Sequence, residues 1–150
     1  MRDHINIYPV GFKEIEAETK SINFNQTSDL QLGSLLSTLV ASKPYGNILE
    51  LGTGSGLSTS FLLQRMDNQP KLTTIDSENT LASIAKKHLG FNERVEFITG
   101  KGKELILNTK PNSINFIFAD TWPGKYNHLE DTLKLLKIGG MYVSVFFFRR

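Results

Sequence analysis

The sequence predicts an α/β protein: a doubly wound, mainly parallel sheet of about five strands, with helices ahead of it. Three observations carry this. From residue 47 onward, short β-rich apolar runs alternate with helix-periodic segments. The first run passes straight into a glycine-spaced loop, ILELGTGSGLSTS at 48–60. The second and fourth runs each end on an aspartate, Asp76 and Asp120. Alternating strands and helices specify a parallel sheet, and right-handed crossovers place helices on both of its faces. Ligands of such sheets bind outside the carboxyl ends of the strands, where the glycine loop, Asp76 and Asp120 all fall.

Taken in order, residues 1–27 are mixed and polar, with Phe12, Ile15 and Ile22 spaced for a short amphipathic helix. Ser28-Asp29 offers an N-cap for a second helix over 29–42, with Leu30, Leu32, Leu35, Leu36, Leu39 and Val40 on one broad face. Pro44 and Gly46 then break the chain. Next come strand 47–51, helix 57–66, strand 71–76, and helix 79–89, capped by Asn79 and stopped by Gly90. Strand 94–99, helix 103–109, strand 114–120, helix 126–138 and strand 141–148 follow. Leu129, Leu133, Leu135 and Leu136 read as core-facing residues of that last helix. The whole reads as one domain over 1–150, a helical segment at 1–43 and a core at 44–150.

The 150 residues are enough for one domain with a real core. Lys+Arg 17 against Asp+Glu 15 leaves a net charge of +2, scattered along the chain, which argues against nucleic acid or an anionic membrane as partner. There is no cysteine, hence no disulfide framework and no thiolate metal site. No apolar run reaches the ~20 residues of a membrane span. The first residues carry acids and no signal-peptide core, so the expected location is cytoplasmic.

Three ligands compete for the glycine loop. A nucleotide P-loop needs GxxxxGK[ST], but Gly56 is followed by Leu57 and Ser58. A dinucleotide fingerprint needs GxGxxG; Gly52 and Gly54 fit, and the third position is Leu57. The pattern is instead Glu50, Gly52, Gly54, Gly56. A carboxylate beside the loop would repel a pyrophosphate and suits a cationic ligand. S-adenosylmethionine has an ammonium, a sulfonium and no phosphate, and its carboxylate could take helix N–H groups with Ser58 or Thr59. Asp76 can accept from both ribose hydroxyls, a device that NAD proteins share. His88 follows Lys86 and Lys87 in a last helical turn, where cations complement the dipole. His128 falls near the start of a helix beside the expected cleft, where a structural role outweighs acceptor contact, and Tyr126 is placed for lining or packing.

ILELGTGSGLSTS, LTTIDSE, RVEFITGKGKELI and FIFADTWPGKY…LKLLKIGGMYV resemble the class I S-adenosylmethionine-dependent methyltransferases. The branch they are most similar to is that of small-molecule O-methyltransferases related to catechol O-methyltransferase. The resemblance runs from about residue 30 to 143 and implies a Rossmann-like fold. It implies that Glu50, Leu51, Gly52, Thr53, Gly54, Ser55 and Gly56 cradle the methionine part, with Ser58 near its carboxylate. Asp76 and Ser77 would hold the ribose, Lys101-Gly102-Lys103 would follow the adenine edge, and Trp122 would pack near the adenine. Asp120 would face the methionine part or a divalent metal. The implied reaction is in-line attack of a small-molecule hydroxyl on the sulfonium methyl, promoted by positioning and desolvation.

The chain departs from that pattern in places. Lys101 stands where an acceptor for the adenine amino group is common, and a lysine cannot accept. Metal-dependent members carry two acids or an acid and an amide after the fifth strand; here these positions are Val145 and Phe146, so Asp120 alone makes no metal site. A general-base lysine of some relatives is Pro123 here, leaving Asp120 and Lys125 as the catalytic candidates. The family's last two strands and the helix before them have no counterpart, which makes MYVSVFFF a long apolar edge. A truncated or frameshifted chain is the first expectation, ahead of a half that pairs with another chain and of a real edge-exposed variant; a homodimer, or pairing through that strand, is the expected assembly. A non-catalytic cofactor-binding domain and an NAD-binding oxidoreductase are the alternative functions.

Overall fold

Each apolar run from residue 48 onward forms a strand, and all pair in parallel. The computed structural model describes residues 8–24 and 30–146. Its helices and strands are α1 (Phe12–Ser21), α2 (Leu30–Ala41), β1 (Ile48–Leu51), α3 (Leu57–Arg65), β2 (Leu72–Asp76), α4 (Asn79–Leu89), β3 (Val95–Thr99), α5 (Gly102–Asn108), β4 (Ile114–Ala119), α6 (Trp122–Lys125), α7 (Leu129–Leu133) and β5 (Leu136–Ser144). The sheet order is β3-β2-β1-β4-β5. The order reverses beside β1, so the ends of β1 and β4 flank the switch point where such folds place ligands.

β1 is buried along all four residues because both faces of the sheet are covered. Ile48, Leu72, Phe116 and Phe118 pack on one face with Phe12, Ile15, Leu36, Phe61 and Ile84 of α1–α4. Leu49, Leu51, Ile75, Ile117 and Ala119 pack on the other with Ile106 and Leu135. The two-residue alternation of β1 and β4 thus divides one strand between two cores. Glu18 of α1 meets His88 Nε2 at 2.6 Å and Lys87 Nζ at 2.9 Å, tying α1 to the last turn of α4.

Four expectations need correction. The helix expected over 126–138 shrinks to α7, because His128 takes φ 54° ahead of it and Leu136 already pairs with Ile114 in β5. β5 begins at Leu136 and ends at Ser144, with a register shift between Ile114 and Phe116; residues 147–148 of the expected strand lie outside the described residues. Leu135 is buried, but Leu129 and Leu133, like Ile22, Leu30 and Leu35, are exposed. The N-cap of α4 is Glu78, whose carboxylate accepts from Thr80 N at 2.6 Å, one residue ahead of Asn79. Gly90 does end α4, in right-handed geometry. The expected Ser28-Asp29 cap lies outside the described residues.

Candidate functional site at the strand carboxyl ends

Glu50 is the third residue of a fully buried strand and is itself 0% exposed. It stands in register with Thr74 of β2. The Thr74 hydroxyl donates to Glu50 Oε2 at 2.7 Å, and the Thr59 hydroxyl, from the first turn of α3, donates to the same oxygen at 2.6 Å. Thr53 and Thr74 share a 2.7 Å contact; since Thr74 gives its one proton to Glu50, Thr53 is the donor there. Glu50 Oε1 is buried and has no hydrogen-bond partner among the described residues. Burial raises the carboxyl to about 7, against the opposing hydroxyls of Thr59, Thr74 and Ser58, and the nearby Asp76 charge pushes the same way as burial.

The loop above Glu50 takes left-handed backbone at Gly52 (φ 106°), Gly54 (φ 53°) and Gly56 (φ 95°), which glycine adopts without strain. A Cβ at Gly52 would lie 3.3 Å from the Asp120 backbone, and one at Gly56 only 2.6 Å from Ala85 Cβ. The first glycine lets the loop approach the end of β4; the second seats α3 on α4. The N-cap of α3 is Gly56, which has no side chain to cap it, so the first N–H groups of the helix keep their anion-binding capacity. Asp76 closes the loop from β2: its Oδ2 accepts from Gly54 N at 2.8 Å and its Oδ1 from Glu78 N at 2.9 Å.

Beside Asp76 lies a cleft of about 250 Å³. Ile75, Asp76, Ser77 and residues 100–103 form one wall, and Thr121, Pro123, Asn127 and His128 the other. This is just below the roughly 300–1,000 Å³ of typical ligand sites, a size for part of a ligand. Asp120 donates its N–H to Leu51 O at 2.9 Å, and its Oδ1 lies 3.1 Å from Lys125 Nζ. His128 Nδ1 sits 3.3 Å from Asp131 Oδ2; His128 first and Lys134 next hold the Asp131 carboxyl below its usual range.

The structure brings Asp76, Ser77, Lys101, Gly102 and Lys103 around one cleft. It buries Glu50 and Leu51 of β1 and Thr53 and Ser55 of the loop, with Ser58 partly exposed at the start of α3. Thr59 is turned inward to Glu50, which removes its hydroxyl from the carboxylate-binding role considered for it. Trp122 is exposed and rests on Tyr126 with ring centroids 4.7 Å apart; its neighbours Thr121 and Pro123 line the cleft in its place. Sequence reasoning missed Thr74 and Asn127. A threonine in strand LTTID reads as a β-former, and its polar role follows only from the register with Glu50.

A parallel 3-2-1-4-5 order, a glycine-spaced turn after the central strand and an acid closing the next strand define a Rossmann-like α/β protein. A family profile described as O-methyltransferase matches residues 10–145. The chain belongs to the O-methyltransferase family. It is 33% identical over 119 residues to a Mycolicibacterium smegmatis protein named "Putative O-methyltransferase", covering 75% of this chain and 56% of that one. Among solved structures, the O-methyltransferase from Bacillus cereus, in complex with SAH, aligns with a TM-score of 0.76 at 26% identity, over 90% of this chain and 65% of that one. The O-methyltransferase TomG from Streptomyces achromogenes shares the fold with a TM-score of 0.77 at 23% identity, over 89% and 64% of the two chains. The chain therefore spans just over half the length of that curated relative. No helix among the described residues is long and apolar enough to cross a membrane.

Proposed function

We propose that this chain binds S-adenosylmethionine and serves methyl transfer to a hydroxyl of a small molecule. The observation that carries the reading is Glu50: a fully buried carboxylate with one unpaired oxygen, under a loop of left-handed glycines. A site for pyrophosphate gains nothing from a buried acid there, whereas a cationic, phosphate-free nucleoside does. Glu50 and the glycine loop would hold the methionine part, Ser58 and the α3 N–H groups its carboxylate, and Asp76 and Ser77 the ribose. Gly102, between Lys101 and Lys103, would follow the base, and Asp120 would face the ammonium. When bound, the cofactor supplies a methyl on a positive sulfur, which an acceptor oxygen takes. The chain's own residues contribute orientation and exclusion of water.

The B. cereus neighbour supports this reading, since it holds SAH on the same fold at 26% identity. A second reading, a non-catalytic cofactor-binding domain, is favoured by Val145 and Phe146 in place of ligating side chains. A cytoplasmic location fits both. β5 is the last strand of the sheet order, and pairing of two copies along it is part of the proposal; light scattering of the purified chain checks it, with a monomer as the contrary result. Titration calorimetry with S-adenosylhomocysteine and with NAD tests the ligand class. Micromolar binding of the first and none of the second is expected; NAD binding alone would contradict the reading. A methyl-transfer assay on hydroxylated aromatics then separates catalyst from binder.

A further inference from the structure

The end of β4 holds a cation of its own. Lys125 has a side chain only 6% exposed, yet its Nζ lies 3.1 Å from Asp120 Oδ1, whose own side chain is 34% exposed. The same ammonium lies 5.3 Å from the Tyr126 ring centroid and 5.0 Å from that of Phe146. The two rings meet edge to face at 5.8 Å. One carboxylate oxygen and two aromatic faces therefore surround it, the environment that stabilises a desolvated cation.

The backbone fixes this arrangement. Gly124 takes φ 91°, and a Cβ there would lie 2.4 Å from Leu51 Cδ1. Its N–H donates to Asn127 O at 2.8 Å, and its carbonyl accepts from the Tyr142 hydroxyl at 2.6 Å. Lys125 thus starts from a pinned position. From the other side, Ser144 of β5 pairs with Ala119 and donates its hydroxyl to Ala119 O at 2.8 Å, which carries Phe146 to the Lys125 ammonium.

The divalent metal that the resemblance implies for Asp120 does not fit these residues. Val145 and Phe146 offer no side-chain oxygen, and among the described residues no group of three or more His, Cys, Asp or Glu could hold a metal ion. We propose that the Lys125 ammonium is the resident cation of Asp120, standing where metal-dependent relatives place a divalent ion and making ligand binding at this site metal-independent. Asp120 then keeps Oδ2 for a cationic group of the ligand, while Lys125 acts as a positioning residue through Oδ1. This rests on the cofactor reading above for its ligand, but not for its cation.

Two experiments on the 150-residue chain separate the claims. In the first, Mn²⁺ is titrated into the protein at neutral pH and free Mn²⁺ is followed by electron paramagnetic resonance. No saturable site is expected; a stoichiometric micromolar site that Asp120→Asn abolishes would overturn the proposal. This needs neither a Lys125 variant nor the cofactor, so it decides the cation even where S-adenosylhomocysteine fails to bind and the cofactor reading falls. In the second, S-adenosylhomocysteine affinity is measured in Mg²⁺ and in EDTA for the wild type, Lys125→Met and Lys125→Arg. The expectation is equal wild-type affinity in the two buffers, a loss of about tenfold in Lys125→Met, and substantial recovery in Lys125→Arg. A tenfold wild-type loss in EDTA, or a folded Lys125→Met that binds like the wild type, would overturn it.

Discussion

Glu50 and Asp120 lie at the carboxyl ends of neighbouring strands of the same sheet, and the fold treats them in opposite ways. Glu50 is sealed in the core with neutral hydroxyls for partners, and its carboxyl rises to about 7. Asp120 is partly exposed and carries a lysine as its counter-ion. Under the proposed reading, the first arrangement keeps a carboxyl poised to ionise when the ligand's cation arrives. The second has its cation built in. The two halves of the proposed site thus differ in whether positive charge comes with the ligand or with the chain.

The largest expected effect probes the frame of the Glu50 side. Gly56→Ala combines left-handed φ with a 2.6 Å clash at Ala85. It should cost about 3 kcal/mol, seen as a Tm lower by roughly 6–12 °C in thermal unfolding. An unchanged Tm would mean that α3 and α4 are not locked together through this glycine.

Close behind comes the pH dependence of Glu50. The folded carboxyl holds its proton up to about pH 7, whereas the ordinary group loses it near 4.5. The folded state therefore binds the extra proton between these values. Its contribution to stability is complete below about 4.5 and is lost as pH rises through 7, by roughly 3 kcal/mol. Urea unfolding at pH 5 and pH 8 should show this fall in the wild type and not in Glu50→Gln. A variant that loses as much stability as the wild type would remove Glu50 as the cause.

Thr74→Val should cost about 1–2 kcal/mol, since it withdraws one of the two hydroxyls on Oε2. It should also steepen the fall between pH 5 and 8, because the lost donor favours the charged form. A shallower fall would break the account of the threonine chain. The smallest effect belongs to Asp131, on the β4–β5 side. His128 and Lys134 hold its carboxyl below 3.8, so its contribution is present at neutral pH and is lost as pH falls through the lowered value. Asp131→Asn should lower stability at pH 8 only slightly and remove the matching small fall at acid pH, a sign opposite to that of Glu50. A large loss at pH 8 would show that this exposed pair matters more than solvent screening allows.

The same two regions differ in how much the sequence revealed. Around β1 and β2 nearly all was legible, because local patterns carried it: ILEL as a buried run, glycines at alternate positions, and an acid ending LTTID. Thr74 escaped, since its partner lies across a strand pair and only register joins them. Around β4 and β5 the leucines at 129–136 mimic a helix, and two tertiary facts override the period. His128 adopts φ 54°, and Leu136 is claimed by the sheet beside Ile114. The Lys125 cage was equally hidden, because Asp120, Tyr126 and Phe146 meet only when β5 is laid against β4.

The most direct test of the central claim is a titration of the ¹⁵N-labelled chain with S-adenosylhomocysteine, followed by amide correlation spectra. The account predicts saturable shifts at Gly52, Gly54, Gly56, Asp76 and Gly102, and at Asp120 beside them. The groove of about 290 Å³ formed by Val10, Leu63, Phe91 and Arg94 should stay still. Shifts confined to that groove, or no shifts at millimolar ligand, would contradict it.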